Sequence, residues 1–283
     1  MAKGVQSELT PLQFEQVLDT VNRAHRLVVI TGAGCSTPSG IGDYRDEAGE
    51  WKRAAPVQHQ DFMRSASWRQ RYWARSQIGY PEFLRAQPNA AHSALARLEA
   101  TGRVIGLITQ NVDRLHQRAG QQQVIDLHGR LDQVVCMTCH TRLPRADIQQ
   151  FLDLRNVPMR SDIVGMAPDG DADLAAVDYS HIVVPDCAAC GGVLKPDVVF
   201  YGDSVPKNTV QAAYDLVAAA DAMLIVGSSL MVYSSYRFVR RADELNLPIV
   251  AVNRGKTRAD DLLLAKADGD CAQLLDQMVS RLD

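Results

Sequence analysis

RLVVITGAGCS (26–36) sets a continuous apolar run directly against a Gly-x-Gly turn. A strand apolar at every position is buried on both faces, as a central parallel strand is and a one-sided antiparallel strand is not. VIGLIT (104–109), VIDL (124–127), MLIV (223–226) and PIVAV (248–252) have the same character, with helical patterns at 90–101 and 209–220 between them. Ahead of the first strand, Thr10 can cap a helix whose first position suits Pro11. Strand, turn and helix in alternation predict an α/β chain with a doubly wound, Rossmann-like parallel sheet. Ligands of such sheets bind past the carboxyl ends of the strands.

Two segments interrupt the alternation. Residues 43–90 are rich in Arg and aromatics and carry Pro56, Pro81 and Pro88; residues 132–200 hold two Cys-x-x-Cys pairs and a polar stretch, Pro168–Asp178, that reads as a solvated loop. The expected division is a nucleotide-binding domain from 1–42, 91–131 and 201–283. Residues 43–90 and 132–200 would form a smaller domain, a helical module joined to a four-cysteine zinc module. At 283 residues the chain can bury a sizeable core, and 46% hydrophobic and 22% charged residues are ordinary for a globular protein. A formal net charge of −3 offers no field for nucleic acid, and no apolar run is long enough for a membrane span. The stretch MAKGVQSELTPLQFEQVLD (1–19) has neither the apolar centre of a secretory signal nor the acid-poor, Arg-rich make-up of a transit peptide. A bacterial cytoplasmic monomer is expected.

Cys136-x-x-Cys139 and Cys187-x-x-Cys190 are the strongest chemical signal. Each pair can present two thiolates from one knuckle, and two knuckles complete a tetrahedron around Zn²⁺. Disulfides or a redox Cys-x-x-Cys do not explain two pairs in one segment. Four thiolates leave no open coordination position, so the metal is assigned to folding. Gly32-Ala33-Gly34-Cys35-Ser36 allows a tight turn and close approach of backbone N–H groups to a pyrophosphate. A plain strand-to-helix turn fits as well, because the third glycine of the dinucleotide fingerprint is missing from its place. So is the acidic residue expected about 20 positions on. That departure argues against an ordinary NAD(P) dehydrogenase. Gln110-Asn111-Val112-Asp113 ends one predicted strand and offers an amide pair and a carboxylate, groups able to bind an amide or a ribose or merely to make a turn. His128, in Asp126-Leu127-His128-Gly129, ends another and suits either a general base or a capping histidine. Gly227-Ser228-Ser229 and Asn253-Arg254-Gly255 follow two later strands. Four such clusters on one sheet edge point to a nucleotide cleft.

Taken in order, GAGCSTPSGIGDYR (32–45), TQNVDRLH (109–116), DLHG (126–129), the cysteine pairs, KPDVVFYGD (195–203), VGSSL (226–230) and VNRG (252–255) resemble the sirtuins over nearly the whole chain. QHQDFMRSASWRQRYWAR, APDGD and the long insertion between the cysteine pairs are most similar to class II, the mitochondrial sirtuin-4 type and its bacterial relatives. The resemblance implies an NAD-dependent deacylase that moves the acyl group of acyl-lysine proteins to ADP-ribose. Nicotinamide and O-acyl-ADP-ribose are then released, and the site must exclude water. It implies His128 as catalytic base with Asn111 beside it, and Gly32, Ala33, Gly34, Ser36, Asp43, Tyr44 and Arg45 on the diphosphate and nicotinamide side. Gln110, Asn111, Val112 and Asp113 would hold ribose and carboxamide. The adenosine half would fall to Gly227, Ser228, Ser229, Asn253, Arg254, Gly255 and Cys271, and the acyl tunnel to Val198, Val199 and Phe200. Protein ADP-ribosylation is the alternative reaction with the same cofactor; an idle NAD- and zinc-binding interaction module is the rival of another class.

Cys35, Gly42 and Arg114 depart from the residues sirtuins commonly show there. Cys35 reads as a small buried hydrophobe, with redox control as the sharper alternative. Tyr72 and Arg75 share a helix face at i, i+3 spacing. In desuccinylating sirtuins such a pair receives an acyl carboxylate, so acidic, long or lipoyl groups are expected; a surface helix with solvated arginines is the bland reading.

Overall fold

The structure, a computed structural model, describes residues 11–43, 50, 57–157, 163–166, 172–174 and 178–282. Chain order begins α1 (Pro11–Arg23), β1 (Leu27–Thr31), α2 (His59–Arg64), α3 (Ala66–Arg85), α4 (Ala90–Ala100), β2 (Val104–Thr109), α5 (Leu115–Arg118) and β3 (Val124–Asp126). It continues with β4 (Gly129–Cys136), β5 (Arg142–Pro144), α6 (Arg145–Arg155), β6 (Ile163–Met166), β7 (Ala172–Leu174) and β8 (Leu194–Val198). The last third holds α7 (Lys207–Ala218), β9 (Ala222–Val226), α8 (Tyr233–Glu244), β10 (Ile249–Val252), β11 (Ala265–Ala267) and α9 (Cys271–Val279).

The main sheet is six-stranded, ordered β11-β10-β9-β1-β2-β3, and every pairing in it is parallel. β1 therefore sits where the doubly wound reading places it, flanked by β2 and β9 and buried at all positions. Its side chains alternate between two cores. Leu27 and Val29 pack with Phe14, Leu95 and Leu274 beneath α1, α4 and α9. Val28 and Ile30 pack with Val217, Phe238 and Val239 beneath α7 and α8. Each such buried aliphatic side chain contributes about 1.5–3 kcal/mol. Because the chain winds outward from β1 in both directions, the sheet order reverses between β1 and β9, and a crevice opens there past the carboxyl ends.

A second sheet, antiparallel β5-β4-β8, packs its own core against α2, α3 and α6, with Phe62, Trp73, Leu131, Val134, Leu152 and Phe200 buried in it. α3 runs through Pro81. Proline gives no N–H to the carbonyl four residues back; that carbonyl, on Gln77, accepts instead from Gln149 Nε2 of α6 at 2.9 Å. The helix thus keeps its proline because a neighbouring helix satisfies the freed group. The stretch read as a solvated loop is corrected in part: Ala172–Leu174 is β7, paired antiparallel with β6. A three-residue strand, Ala-Asp-Leu, is too short for its alternation to stand out from the surrounding loop. No helix of the described residues is long and apolar enough to cross a membrane.

Candidate active site

At the crevice lies a cavity of about 1070 Å³. The turns after β1 and β9 interlock to form its floor. Gly34 N–H donates to Gly227 O at 2.9 Å, and a Cβ on Gly227 would stand 2.3 Å from the Cys35 backbone nitrogen. Gly227 also has φ +58°, a left-handed conformation that favours glycine. The glycines of the first turn thus serve the contact between two strand ends as much as any approach to a ligand. Ser36, fully buried, is the hub beside them. Its Oγ donates to Asp113 Oδ2 at 2.7 Å and accepts from Asn111 Nδ2 at 3.1 Å. His92 Nδ1 accepts from the Asn89 N–H at 3.2 Å, so Nε2 carries the ring proton and faces Ser36 Oγ at 3.4 Å.

Asn111 also donates to Gly32 O at 3.0 Å, so both amide hydrogens are taken and its carbonyl oxygen is left for a ligand. Gln110 is held likewise: Nε2 donates to Ser228 Oγ and Thr31 O at 2.7 and 3.2 Å, and Oε1 accepts from Ser235 Oγ at 2.9 Å. Asp113 accepts the Leu115 N–H at 2.8 Å as well as the Ser36 hydroxyl. Burial pushes its carboxyl up despite those bonds. Arg114, left-handed at φ +64°, forms an ion pair with Asp126.

His128 stands between β3 and β4 at the cavity wall. Gly129 turns the chain there with φ +82°, and a Cβ would meet Asp197 O at 2.0 Å, so only glycine fits. His128 Nδ1 lies 3.2 Å from the Gln110 main-chain oxygen, which can only accept; Nδ1 therefore holds the proton. Nε2 keeps its lone pair and accepts from Ser234 Oγ at 2.8 Å. Enclosure by the walls, more than the nearby Arg237 charge, lowers the pKa to about 4, against the opposing Gln110 carbonyl. The imidazole is neutral, its Nε2 lone pair met by the Ser234 hydroxyl on the cavity wall.

The cavity is also lined by Ala33, Asp43, Val112, Val198, Val199, Phe200, Ser229, Asn253, Arg254 and Cys271. Gly255 is not on the wall: its φ of +75° makes the turn behind Asn253, and its N–H donates to Asp268 Oδ1 at 3.2 Å. Tyr44 and Arg45 lie outside the described residues. Tyr72 and Arg75, placed on a helix by their spacing, are on α3, but neither borders the cavity and neither is solvated. They are 2% and 8% exposed, and the Tyr72 ring packs behind Phe200 at 5.3 Å between centroids. Cys35 is fully buried in the β1 core, its thiol pushed well up by burial, as a small hydrophobe would be placed. Sequence reasoning missed Ser234 and Arg237, in the first turns of α8, and Lys207, the first residue of α7, all on the wall. It missed His92 too, for which Asn89 three residues earlier, an N-cap, was the available signal.

Away from the cavity the four paired cysteines converge, their sulfurs all within 4.8 Å of one another. Cys136–Cys190 and Cys139–Cys187 are 3.5 and 3.7 Å apart. A tetrahedral Zn²⁺ with Zn–S bonds of about 2.3 Å needs sulfur–sulfur edges of about 3.8 Å. The donor set fits structural zinc, held between β4 and β8.

Comparison with known proteins supplies the rest. The profile of the Sir2 family matches residues 32–234. An NAD-dependent protein deacetylase of Xanthomonas axonopodis pv. citri (strain 306) is 58% identical over 91% of this chain and 88% of its own. The NAD-dependent protein lipoamidase sirtuin-4, mitochondrial, of Bos taurus is 46% identical over 94% of this chain and 86% of its own. Among solved structures, one described as Sir2 with a p53 peptide and NAD+ superposes with a TM-score of 0.77 at 30% identity, covering 94% of this chain and 97% of that one.

Proposed function

The chain belongs to the Sir2 family, and from that premise we propose that it is an NAD-dependent protein-lysine deacylase with His128 as its base. One observation carries the assignment: a neutral imidazole whose tautomer is set by a main-chain carbonyl, with Nε2 turned to the cavity. Bound NAD would supply an electrophilic glycosidic carbon as nicotinamide leaves. The turn at Gly32, Ala33, Gly34 and Ser36 would take the diphosphate. The Asn111 oxygen and the Gln110–Asp113 turn would hold ribose and carboxamide, and Gly227–Ser229, Asn253, Arg254 and Cys271 the adenosine half. His128 Nε2 would remove a proton from a ribose hydroxyl that displaces Ser234 from it, leaving that oxygen free to accept the acyl group. The apolar walls exclude competing water.

For the acyl group, Val57, Val198, Val199 and Phe200 present an apolar surface. The Tyr72 ring stands behind Phe200 and neither Tyr72 nor Arg75 borders the cavity, so the walls support acetyl and longer apolar acyl chains, lipoyl included, over acidic ones. The bovine relative named as a lipoamidase agrees with that reading. The test is incubation with NAD and a panel of acetyl-, lipoyl- and glutaryl-lysine peptides, following peptide and nucleotide by mass. Free O-acyl-ADP-ribose is the expected product. His128→Ala should lower turnover by at least about a thousandfold while the protein stays folded and zinc-loaded. Label from NAD left covalently on protein, or full activity of His128→Ala, would overturn the proposal.

A further inference from the structure

The cavity wall also includes the connection from β8 to α7 and the one that leads from β9 into α8. The first brings Ser204, Val205 and Lys207 to the wall, the second Met231, Val232 and Arg237. With the nucleotide on the strand-end turns, the acyl-lysine would approach His128 along these residues. We propose, resting on the deacylase reading, that Lys207, Arg237 and Arg258 recognise carboxylates flanking the acyl-lysine, so that the substrate class is acidic segments of protein.

The argument is one of unanswered charge. Lys207 is exposed on the first turn of α7 and has no carboxylate within ion-pair distance among the described residues. Arg237 lies one turn beyond Ser234 on α8, half-buried on the same wall. It likewise has no carboxylate partner among the described residues, and its buried Nε makes no hydrogen bond there. Arg258 donates to the main-chain oxygen of Met231, a wall residue, at 3.2 Å, and its guanidinium lies 4.5 Å over the Tyr236 ring. The exposed Tyr233 ring lies between the two arginines, 5.8 Å from Arg237 and 5.9 Å from Arg258. These stacks position the guanidiniums without neutralising them. Elsewhere Arg85, Arg97 and Arg281 have carboxylate partners, whereas exposed Arg64, Arg155 and Arg240 have none among the described residues. What distinguishes Lys207, Arg237 and Arg258 is their place at or beside the cavity wall. The chain as a whole carries −3, so a mouth of this sign is local and not a general excess. Of the acids lining the cavity, the one next to Ser204 in the chain, Asp203, is already engaged by Lys195 at 3.5 Å and His59 at 3.2 Å. Half-exposed pairs in this setting strengthen binding modestly, and added salt weakens them.

The test uses the full-length zinc-loaded protein with NAD and two labelled acetyl-lysine peptides of equal length, one with Asp and Glu on both sides of the lysine, one with Asn and Gln. Anisotropy gives Kd and steady-state assays give KM and kcat. The acidic peptide should bind roughly fivefold tighter, with the difference in KM and not in kcat. The gap should close in about 0.5 M salt. Lys207→Glu, at an exposed position, should erase the preference or reverse it, and Arg237→Gln should reduce the ratio of the two Kd values. Equal Kd for both peptides in wild type, or a preference untouched by Lys207→Glu, would overturn the inference. A retained Kd difference with neither peptide deacylated would sink the deacylase reading and leave the acidic surface standing.

Discussion

Lowering the pH from about 7 to about 4.5 should destabilise this protein chiefly by charging imidazoles that the fold keeps neutral. His92 is fully buried, and burial lowers its pKa to about 4. His116, 1% exposed with its ring 4.8 Å from that of His92, is held well below the ordinary value by burial and then by that neighbour. Its Nε2 faces Thr31 Oγ1 at 2.9 Å, and its buried Nδ1 has no hydrogen-bond partner among the described residues. A proton added at Nδ1 would therefore make a buried cation without an acceptor. His128, at about 4, is the third. Below about pH 6.5 the unfolded chain binds protons at these sites and the folded chain does not, so stability rises with pH across the window and falls on acidification. The loss begins near the unfolded pKa and is complete only below the folded one. A depression from 6.5 to about 4 makes the His92 contribution about 3 kcal/mol at about 1.4 kcal/mol per pH unit. That of His128 is smaller, since its ring reaches water in the cavity. Asp113 and Asp126, whose carboxyls burial pushes up, favour the folded state on acidification and flatten the slope in part.

Urea denaturation at intervals between about pH 5 and 7 is the assay, with the slope of unfolding free energy against pH read as protons taken up on unfolding. Two to three protons are expected, equal to about 3–4 kcal/mol per pH unit at the steepest point. His128→Ala opens onto the cavity and leaves no closed void, so it should fold and lower the slope by up to one proton. A wild-type slope under one proton, or one that His128→Ala does not change, would show that the rings are not held neutral as argued.

Gly227→Ala places a methyl group 2.3 Å from the backbone nitrogen of Cys35 in a left-handed conformation. It should cost more than about 2 kcal/mol in urea denaturation and abolish NAD binding in calorimetry, since the two turns must part to admit it. Stripping zinc with a strong chelator, or substituting Cys187→Ser, should remove one metal per chain by elemental analysis and lower the melting temperature by more than about 5 °C. Refolding of the stripped wild-type protein should require zinc, whereas unchanged melting without metal would remove the structural role.

The parallel sheet was legible because β1, β2, β9 and β10 are apolar at nearly every position, a pattern with few alternative fates inside a protein this size. The cysteine cluster was legible because two short spacings restrict a metal's geometry before any fold is known. Lys195 shows the opposite case. A charged side chain 4% exposed, its ammonium 4.7 Å over the Phe200 ring and paired with Asp203, announces nothing in the string KPDVVF. Tyr72 and Arg75 were legible as a shared helix face, but not as buried, with the Tyr72 ring behind Phe200, because periodicity assigns a face and not the layer it meets. α3 carries buried residues around most of its circumference, so its pattern has no polar side to orient it.

His128, the proposed base, is the clearest instance of what a one-dimensional reading lacks. His128 was picked out by its place at a strand end, yet its tautomer is fixed by the carbonyl oxygen of Gln110, a group every residue possesses. Gln110 in turn is held by Thr31 at the end of β1, Ser228 in the turn after β9 and Ser235 in the first turn of α8. The first turn of α8 closes the circuit, with Ser234 on the imidazole and Ser235 on the Gln110 side chain. Consecutive residues on a helix diverge by about 100°, so two serines can reach two partners only where the helix end abuts both. That docking is set by Phe238 and Val239, buried against the sheet one turn later. Core packing therefore aims the lone pair of His128, and the chemistry of the site depends on apolar residues that touch no ligand.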